Sequence, residues 1–305
     1  MKKVLWGALL LLLAAGIGYS LIPREPLPDF SAYAYRDTRR MLTLVHRAAA
    51  LIEEKGDQAF EDFTADEDKW TLDNAYLYVY ALDGTNLYHG GYPDLVGRNL
   101  YGFTDLWGKK AMQMIYRETE NPNNPFGWVH YIWNAPGSLH PLWKSSCNLR
   151  AVMPNGKVVV VGSGLDDSRA EVEFFRILVD DAVALVDSRG KAALPILKSP
   201  ASHYTILDNR VFVMNLDGSC LIYPGMDITV DASLFDYKDF TGSTPLLELK
   251  NRLEDADRAT VGMLCQQHAG EHPAKMSIYG RLAQMEGQTV VVGAISPLPQ
   301  PAWMN

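Results

Sequence analysis

A chain of 305 residues is longer than one ordinary core supports and suits two domains of about 100–150 residues each. Apolar residues at 48% and charged residues at 21% are the proportions of a folded globular chain, with no tract of low complexity. A net charge of -8, with no Lys/Arg stripe and no zinc-finger spacing, argues against a nucleic-acid-binding surface.

At the N-terminus, Lys2 and Lys3 precede the uncharged run from Val4 to Ile22, and "PREPLP" then breaks any helix. This is the pattern of an export signal. The run lies between the length of a cleaved signal core and that of a spanning helix, so residues 1–22 read either as a signal peptide or as an N-terminal membrane anchor. In both cases the remainder is expected in the periplasm or another extracytoplasmic space, held at the inner membrane if the segment is retained. The three cysteines are too few for a disulfide-built scaffold. An exported chain permits one bridge, for which Cys220 and Cys265 are the expected pair, leaving Cys147 as a small buried hydrophobe.

The rest of the chain contains an internal repeat. "LVHRAAALIEEKG" from Leu44 and "LVDDAVALVDSRG" from Leu178 share six of thirteen residues, against about one in eighteen for unrelated sequences. The same offset of 134 lays Leu82-Asp83-Gly84 on Leu216-Asp217-Gly218, Asp105 on Asp239 and Gly108 on Gly242. An offset of 131 lays "VVVVGSG" on "TVVVGAI". Each half opens with an amphipathic helix, whose apolar residues recur at helical spacing until Gly56 or Gly190 stops it. Ser168 and Glu171 have the spacing of a capping box, which starts the second helix at Ser168. Next, "AYLYVYALDGTNLYHG" reads as two strands around an Asp-Gly turn. A Gly/Pro/Asn-rich loop, the short helix "KKAMQMIYRET" and the strands "GWVHYIW", "KSSCNLRAVM" and "KVVVVGSG" complete the unit. The predicted fold is α+β: a long N-terminal helix on a roughly five-stranded antiparallel sheet, made twice.

Alternation sorts the first strand into two faces: Leu77, Val79 and Ala81 suit the helix, while Tyr76, Tyr78 and Tyr80 face the loops. On the later strand Val129, Tyr131 and Trp133 share one side, and Trp128, His130 and Ile132 the other. In the second half the three tyrosines become Arg210, Phe212 and Met214. Asp105 and Asp239 recur, which fits a structural role as well as ligand contact. No HExxH, phosphate-loop or G-x-S-x-G pattern occurs, so no catalytic residue, metal or cofactor is assigned and the chain is not expected to be an enzyme. His268 and His272 in "HAGEH" sit in a Gly/Pro context that reads as a loop rather than a zinc-binding helix. "GSG" at Gly162 to Gly164 reads as a close-packed strand end.

The series "LIEEKGDQAFEDF", "YLYVYALDG", "HGGYPDLVGRNL", "TDLWGK", "FGWVHYIW", "PLWKSS" and "VVVVGSG" resembles the extracellular Cache sensor domains, the single-unit PAS-like type, in tandem. The resemblance covers most of Met41 to Leu165, and the second half keeps a thinner version of it. It implies two tandem PAS-like Cache domains, at residues 31–165 and 168–297, with small metabolites bound on the sheet face away from the long helix. It further implies a pocket in the first domain formed by Tyr78, Tyr80, Tyr131 and Trp133. Arg98 and Lys144 would supply positive charge for a carboxylate, and Tyr101 and His89 are further polar candidates. Lys275 and Tyr279 would be the best polar contacts of the second domain. The expected partners are a small organic acid and a separate membrane signalling protein, with no nucleic acid. The alternative is a cell-envelope interaction scaffold that binds no ligand.

Overall fold

The structure, a computed structural model, describes residues 27–134, 136–137, 139–207, 209–224, 233–266 and 272–299. The export segment and His268 lie outside the described residues. Among the described residues no helix is long and apolar enough to cross a membrane.

Helix α1 (Arg36–Lys55) buries Met41, Leu42, Leu44, Val45, Ala48, Ala49 and Ile52 along one stripe. It ends where Gly56 adopts a φ of 60° and its N–H returns to the Ile52 carbonyl at 2.8 Å. Two short helices, α2 (Gln58–Ala65) and α3 (Glu67–Trp70), lead into the first sheet. Its strands are β1 (Thr71–Leu72), β2 (Ala75–Ala81), β3 (Asn86–His89), β4 (Val129–Asn134), β5 (Pro141–Val152) and β6 (Val158–Asp166). The order is β1-β2-β6-β5-β4, with β3 also paired to β2, and every pairing is antiparallel. Helix α4 (Ala111–Glu118) lies in the connection between β3 and β4.

The second half repeats this plan. Helix α5 (Val172–Arg189) stops at Gly190, whose φ is 55° and whose N–H bonds to Val186. After α6 (Ala193–Lys198) and a two-stranded ribbon, β7 (Thr205–Ile206) with β8 (Asn209–Arg210), come β9 (Phe212–Asn215), β10 (Cys220–Ile222), α7 (Pro245–Arg252), β11 (Arg258–Cys265), β12 (Ala274–Met285) and β13 (Gln288–Pro297). The sheet order is β10-β9-β13-β12-β11. Helix α1 packs on β5 and β6, and α5 on β12 and β13. One apolar cluster runs between the helix-facing sides of both sheets. Trp128 joins the halves there: its indole N–H donates to the Tyr33 hydroxyl at 2.7 Å, and its ring centroid lies 4.6 Å from that of Phe174.

Two local expectations are corrected. Helix α5 starts at Val172 rather than Ser168, and no capping box forms. Glu171 instead accepts the backbone N–H groups of Ala34 (2.8 Å) and Tyr35 (3.0 Å), anchoring the segment before α1. The Ser168 hydroxyl bonds to Ser145. Cys147, Cys220 and Cys265 are all free thiols. Cys220 and Cys265 sit on β10 and β11, the two opposite edges of one sheet. Four strand spacings of about 4.8 Å separate them, far beyond the roughly 7 Å that a disulfide bridges.

Candidate functional site

The face of the first sheet turned away from α1 carries a second, smaller cluster. Alternation along β2 delivers Tyr76, Tyr78 and Tyr80 to it, and β4 adds Tyr131 and Trp133. Helix α4 covers these rings with Ala111, Met112 and Ile115, and the loop before it adds Leu100 and Phe103. Together with His89 and Lys144 they enclose a cavity of about 20 Å³, measured as the space open to the centre of a water molecule. That is room for a water or for a ligand of a few heavy atoms.

Lys144 is the charged group in this wall, with 1% of its side chain exposed. The ladder places it between Tyr131 on β4 and Asp166 on β6, each directly opposite. Its ammonium donates to Asp166 at 2.8 Å and lies 4.4 Å from the centroid of the Tyr76 ring. Burial pulls its pKa down, and Asp166 acts against that. The "GSG" of β6 makes room for this arrangement. A Cβ on Gly164 would come within 2.8 Å of Lys144 Cε, and one on Gly162 within 2.5 Å of Asn148 Oδ1 and 2.6 Å of the Tyr78 ring. Asn148 holds that ring in place by accepting from the Tyr78 hydroxyl at 2.7 Å.

The remaining polar groups present donors. Burial raises the pKa of Tyr76, Tyr78, Tyr80 and Tyr131, so all four phenols are neutral. Burial, helped by the charge of Lys144, lowers His89 to about 4. The neutral ring accepts the Tyr92 N–H at Nδ1 (3.0 Å), which assigns its proton to Nε2. The Tyr76 hydroxyl and the Trp133 indole N–H form no hydrogen bond within the protein. Both atoms are buried without a partner. A buried polar atom left so costs about 1–3 kcal/mol.

Of the residues singled out from the sequence, Tyr78, Tyr80, Tyr131, Trp133 and Lys144 line the cavity, as does His89. Arg98 and Tyr101 do not. Arg98 is exposed, and its backbone carbonyl serves the loop by accepting from Asn86 N–H at 2.9 Å. Tyr101 is 46% exposed and stacks on Tyr116 at 6.1 Å. The apolar lid was not anticipated; the amphipathic spacing of Ala111, Met112 and Ile115 is the signal that would have found it. Asp105 is structural: its carboxylate accepts the N–H groups of Trp107, Lys109 and Ile132, stapling the loop to β4. Asp239 does the same for Thr241, Ser243 and Leu264.

The chain matches the Cache domain model over residues 53–279. It belongs to the Cache domain family. Solved structures similar to it include a periplasmic sensor domain of a chemotaxis protein, 28% identical over 44% of this chain and 100% of that one, with a TM-score of 0.36. A Cache chemosensory domain studied for carboxylic acid recognition is 19% identical over 43% of this chain and 94% of its own, with a TM-score of 0.34. The L-Arg-bound ligand-binding domain of the amino acid chemoreceptor PctB of Pseudomonas aeruginosa PAO1 is 12% identical over 85% and 86%, with a TM-score of 0.26. No curated protein matches the sequence.

The second Cache-like sheet is packed differently on the corresponding face. The ladders put Met263 opposite Met276 and Met276 opposite Pro297, where the first sheet has Tyr131, Lys144 and Asp166. Trp133 is matched by Cys265 and Gly164 by Ile295 in the same registers, and Phe212 and Met214 replace Tyr78 and Tyr80. All of these except Pro297 belong to one buried apolar cluster with Leu246 and Leu249. Lys275 and Tyr279 therefore do not answer the polar residues of the first site. Lys275 is exposed, and Tyr279 faces α5, where its hydroxyl donates to Asp180 at 3.1 Å.

Proposed function

We propose that this Cache protein is an extracytoplasmic sensor that binds a small organic acid in the cavity of its first sheet and passes occupancy to a separate membrane partner. The observation that carries this reading is the fully buried Lys144 beside two unpartnered donors, the Tyr76 hydroxyl and the Trp133 indole N–H. One of the three ammonium N–H groups is donated to Asp166, so the group retains donors for a ligand carboxylate. The aromatic walls exclude water and strengthen each charge-assisted bond, while the volume limits the ligand to a few heavy atoms. The apolar filling of the second sheet supports assigning recognition to the first.

The test is a thermal-shift screen of the purified protein against short organic acids, amino acids, amines and purines. A ligand at a hundred times its dissociation constant stabilises by about 2.7 kcal/mol, a rise of several degrees. The expected hits are short carboxylates, lost in Trp133→Ala and in Lys144→Met but kept in Arg98→Ala. No shift across the panel overturns the sensor reading in favour of a ligand-free envelope scaffold.

A further inference from the structure

A second polar cluster lies away from the cavity, where the two halves meet. Glu118 ends α4, Asp181 stands on α5, and His203 lies between α6 and β7. All three are buried, at 2%, 9% and 5% exposure, and one donor atom from each lies within 4.8 Å of the others. His203 Nε2 is 3.4 Å from Asp181 Oδ2, and its Nδ1 is 3.8 Å from Glu118 Oε1. Neither contact is a formed hydrogen bond, so both ring nitrogens are buried, aimed at carboxylates and without a partner.

An imidazole ring alone, with one donor and one acceptor nitrogen, can serve only one of the two carboxylates, because a carboxylate offers nothing to accept. Two buried carboxylates also need positive charge, and Arg117 supplies it to Glu118 but not to Asp181. We propose that Glu118, Asp181 and His203 form a binding site for a divalent transition-metal ion, of which zinc is the type, joining the cavity's covering helix to the second half. The separation between Nε2 and Asp181 Oδ2 is close to the edge, about 3.3 Å, of a tetrahedron with bonds of about 2.0–2.1 Å. One imidazole with two carboxylates suits zinc and its neighbours rather than calcium or magnesium, which take oxygen donors alone.

An outer shell is already in place. Asn121 Nδ2 donates to Glu118 Oε2 (2.8 Å) and to both oxygens of Asp181 (2.9 and 2.8 Å). Asn123 adds a bond to Asp181 at 3.3 Å, and Asn124 one to Glu118 at 3.2 Å. Arg117 approaches Glu118 Oε1 at 2.7 Å. The amide partners Asn121, Asn123 and Asn124 hold the carboxylates in a fixed orientation, the kind of outer shell that raises metal affinity. Three protein donors leave coordination positions for water.

The experiment is a zinc titration of the full chain after stripping with EDTA, read by metal content after desalting, by melting temperature and by the visible absorption of the cobalt-substituted protein. Zinc is expected to stay bound at one ion per chain and to raise the melting temperature by several degrees, whereas magnesium does neither. His203→Ala and Asp181→Asn should lose retained metal. Asn121→Ala, which removes no donor, should weaken affinity about 10–100-fold. A His268→Ala/His272→Ala variant should bind as wild type. Wild-type protein that retains no zinc overturns the proposal, as does a metal response unchanged in His203→Ala. So does a zinc-insensitive melting temperature that falls on raising the pH and loses that fall in His203→Ala, because the ring is then an imidazolium clamp. If His203→Ala fails to fold, undiminished zinc affinity in Asn121→Ala is the overturning result.

Discussion

Acidification should destabilise this protein through His89, by an amount the structure sets. His89 is held neutral to about 4, against an ordinary value of 6.5, because it is buried and lies near Lys144. Between those two values the unfolded chain binds a proton that the folded chain refuses. Stability from this residue is therefore complete above pH 6.5 and declines as the pH falls towards 4. At about 1.4 kcal/mol for each tenfold change in proton activity, the full loss is about 3 kcal/mol. His130 acts in the same direction, since burial and the nearby His203 and Lys109 lower its pKa, so the wild-type acid limb exceeds the His89 share. The comparison that isolates His89 is His89→Asn, whose amide oxygen sits on Cγ as Nδ1 does and can accept the Tyr92 N–H in its place. Urea unfolding followed by tryptophan fluorescence across this pH range should give a variant curve flatter by about 3 kcal/mol. Parallel curves for the two proteins would refute a buried, neutral His89.

Three further outcomes follow from the packing. Lys144→Met leaves Asp166 as an unpaired buried carboxylate and should cost about 3–5 kcal/mol in urea unfolding, whereas Lys144→Met/Asp166→Leu should return to near wild-type stability; a single variant as stable as the wild type would mean the pair is hydrated. Gly162→Ala drives a Cβ to 2.5 Å from Asn148 Oδ1 and should lower stability by about 1–3 kcal/mol, measured by denaturant midpoint, while Gly156→Ala on an open turn meets no atom within 4 Å and pays only for its φ of 81°. Tyr78→Phe strips Asn148 Oδ1 of its donor, and Phe212→Tyr pushes a hydroxyl into an apolar cluster; each should cost about 1–3 kcal/mol by calorimetry, and a neutral Phe212→Tyr would mean water reaches the second sheet.

The repeat, both long helices and the two faces of β2 were legible because each rests on periodicity, which a strand or helix must obey to bury one side. Five of the seven residues expected in the pocket line the cavity: alternation put Tyr78 and Tyr80 on that face and grouped Tyr131 with Trp133, whereas the family resemblance chose the face of that pair and pointed to Lys144. Arg98 was misplaced because a loop residue's direction is set by backbone bonds, here its carbonyl to Asn86 and its N–H to Leu95, which leave no periodic trace. Glu171 has the spacing of a helix cap but serves a chain segment 136 residues away. The second half misled for a subtler reason. Between the turn and the later strands the offset contracts from 134 to 131, so Lys275 aligns with Lys144 in sequence while the ladder gives that place to Met276. A slip of one residue moves a side chain to the other face.

Duplication supplies an internal control for the first site. Both halves pack a β2-type ring over a β6-type glycine, Tyr78 over Gly162 and Phe212 over Gly293, so the scaffold is the same at this close approach. Around that point the second half packs a buried apolar cluster. Met for Tyr, Cys for Trp, Met for Lys, Ile for Gly and Pro for Asp together remove each charge and fill the space that the glycine leaves. A face that only had to close a core has thus been built by one half of this chain without burying an ion pair. The first half keeps one, although a buried pair is often no more stable than the apolar residues that replace it. Stability gives no reason for Lys144, Asp166 and two unpaired donors to stand around a small cavity, and the recognition of a carboxylate proposed above would supply one.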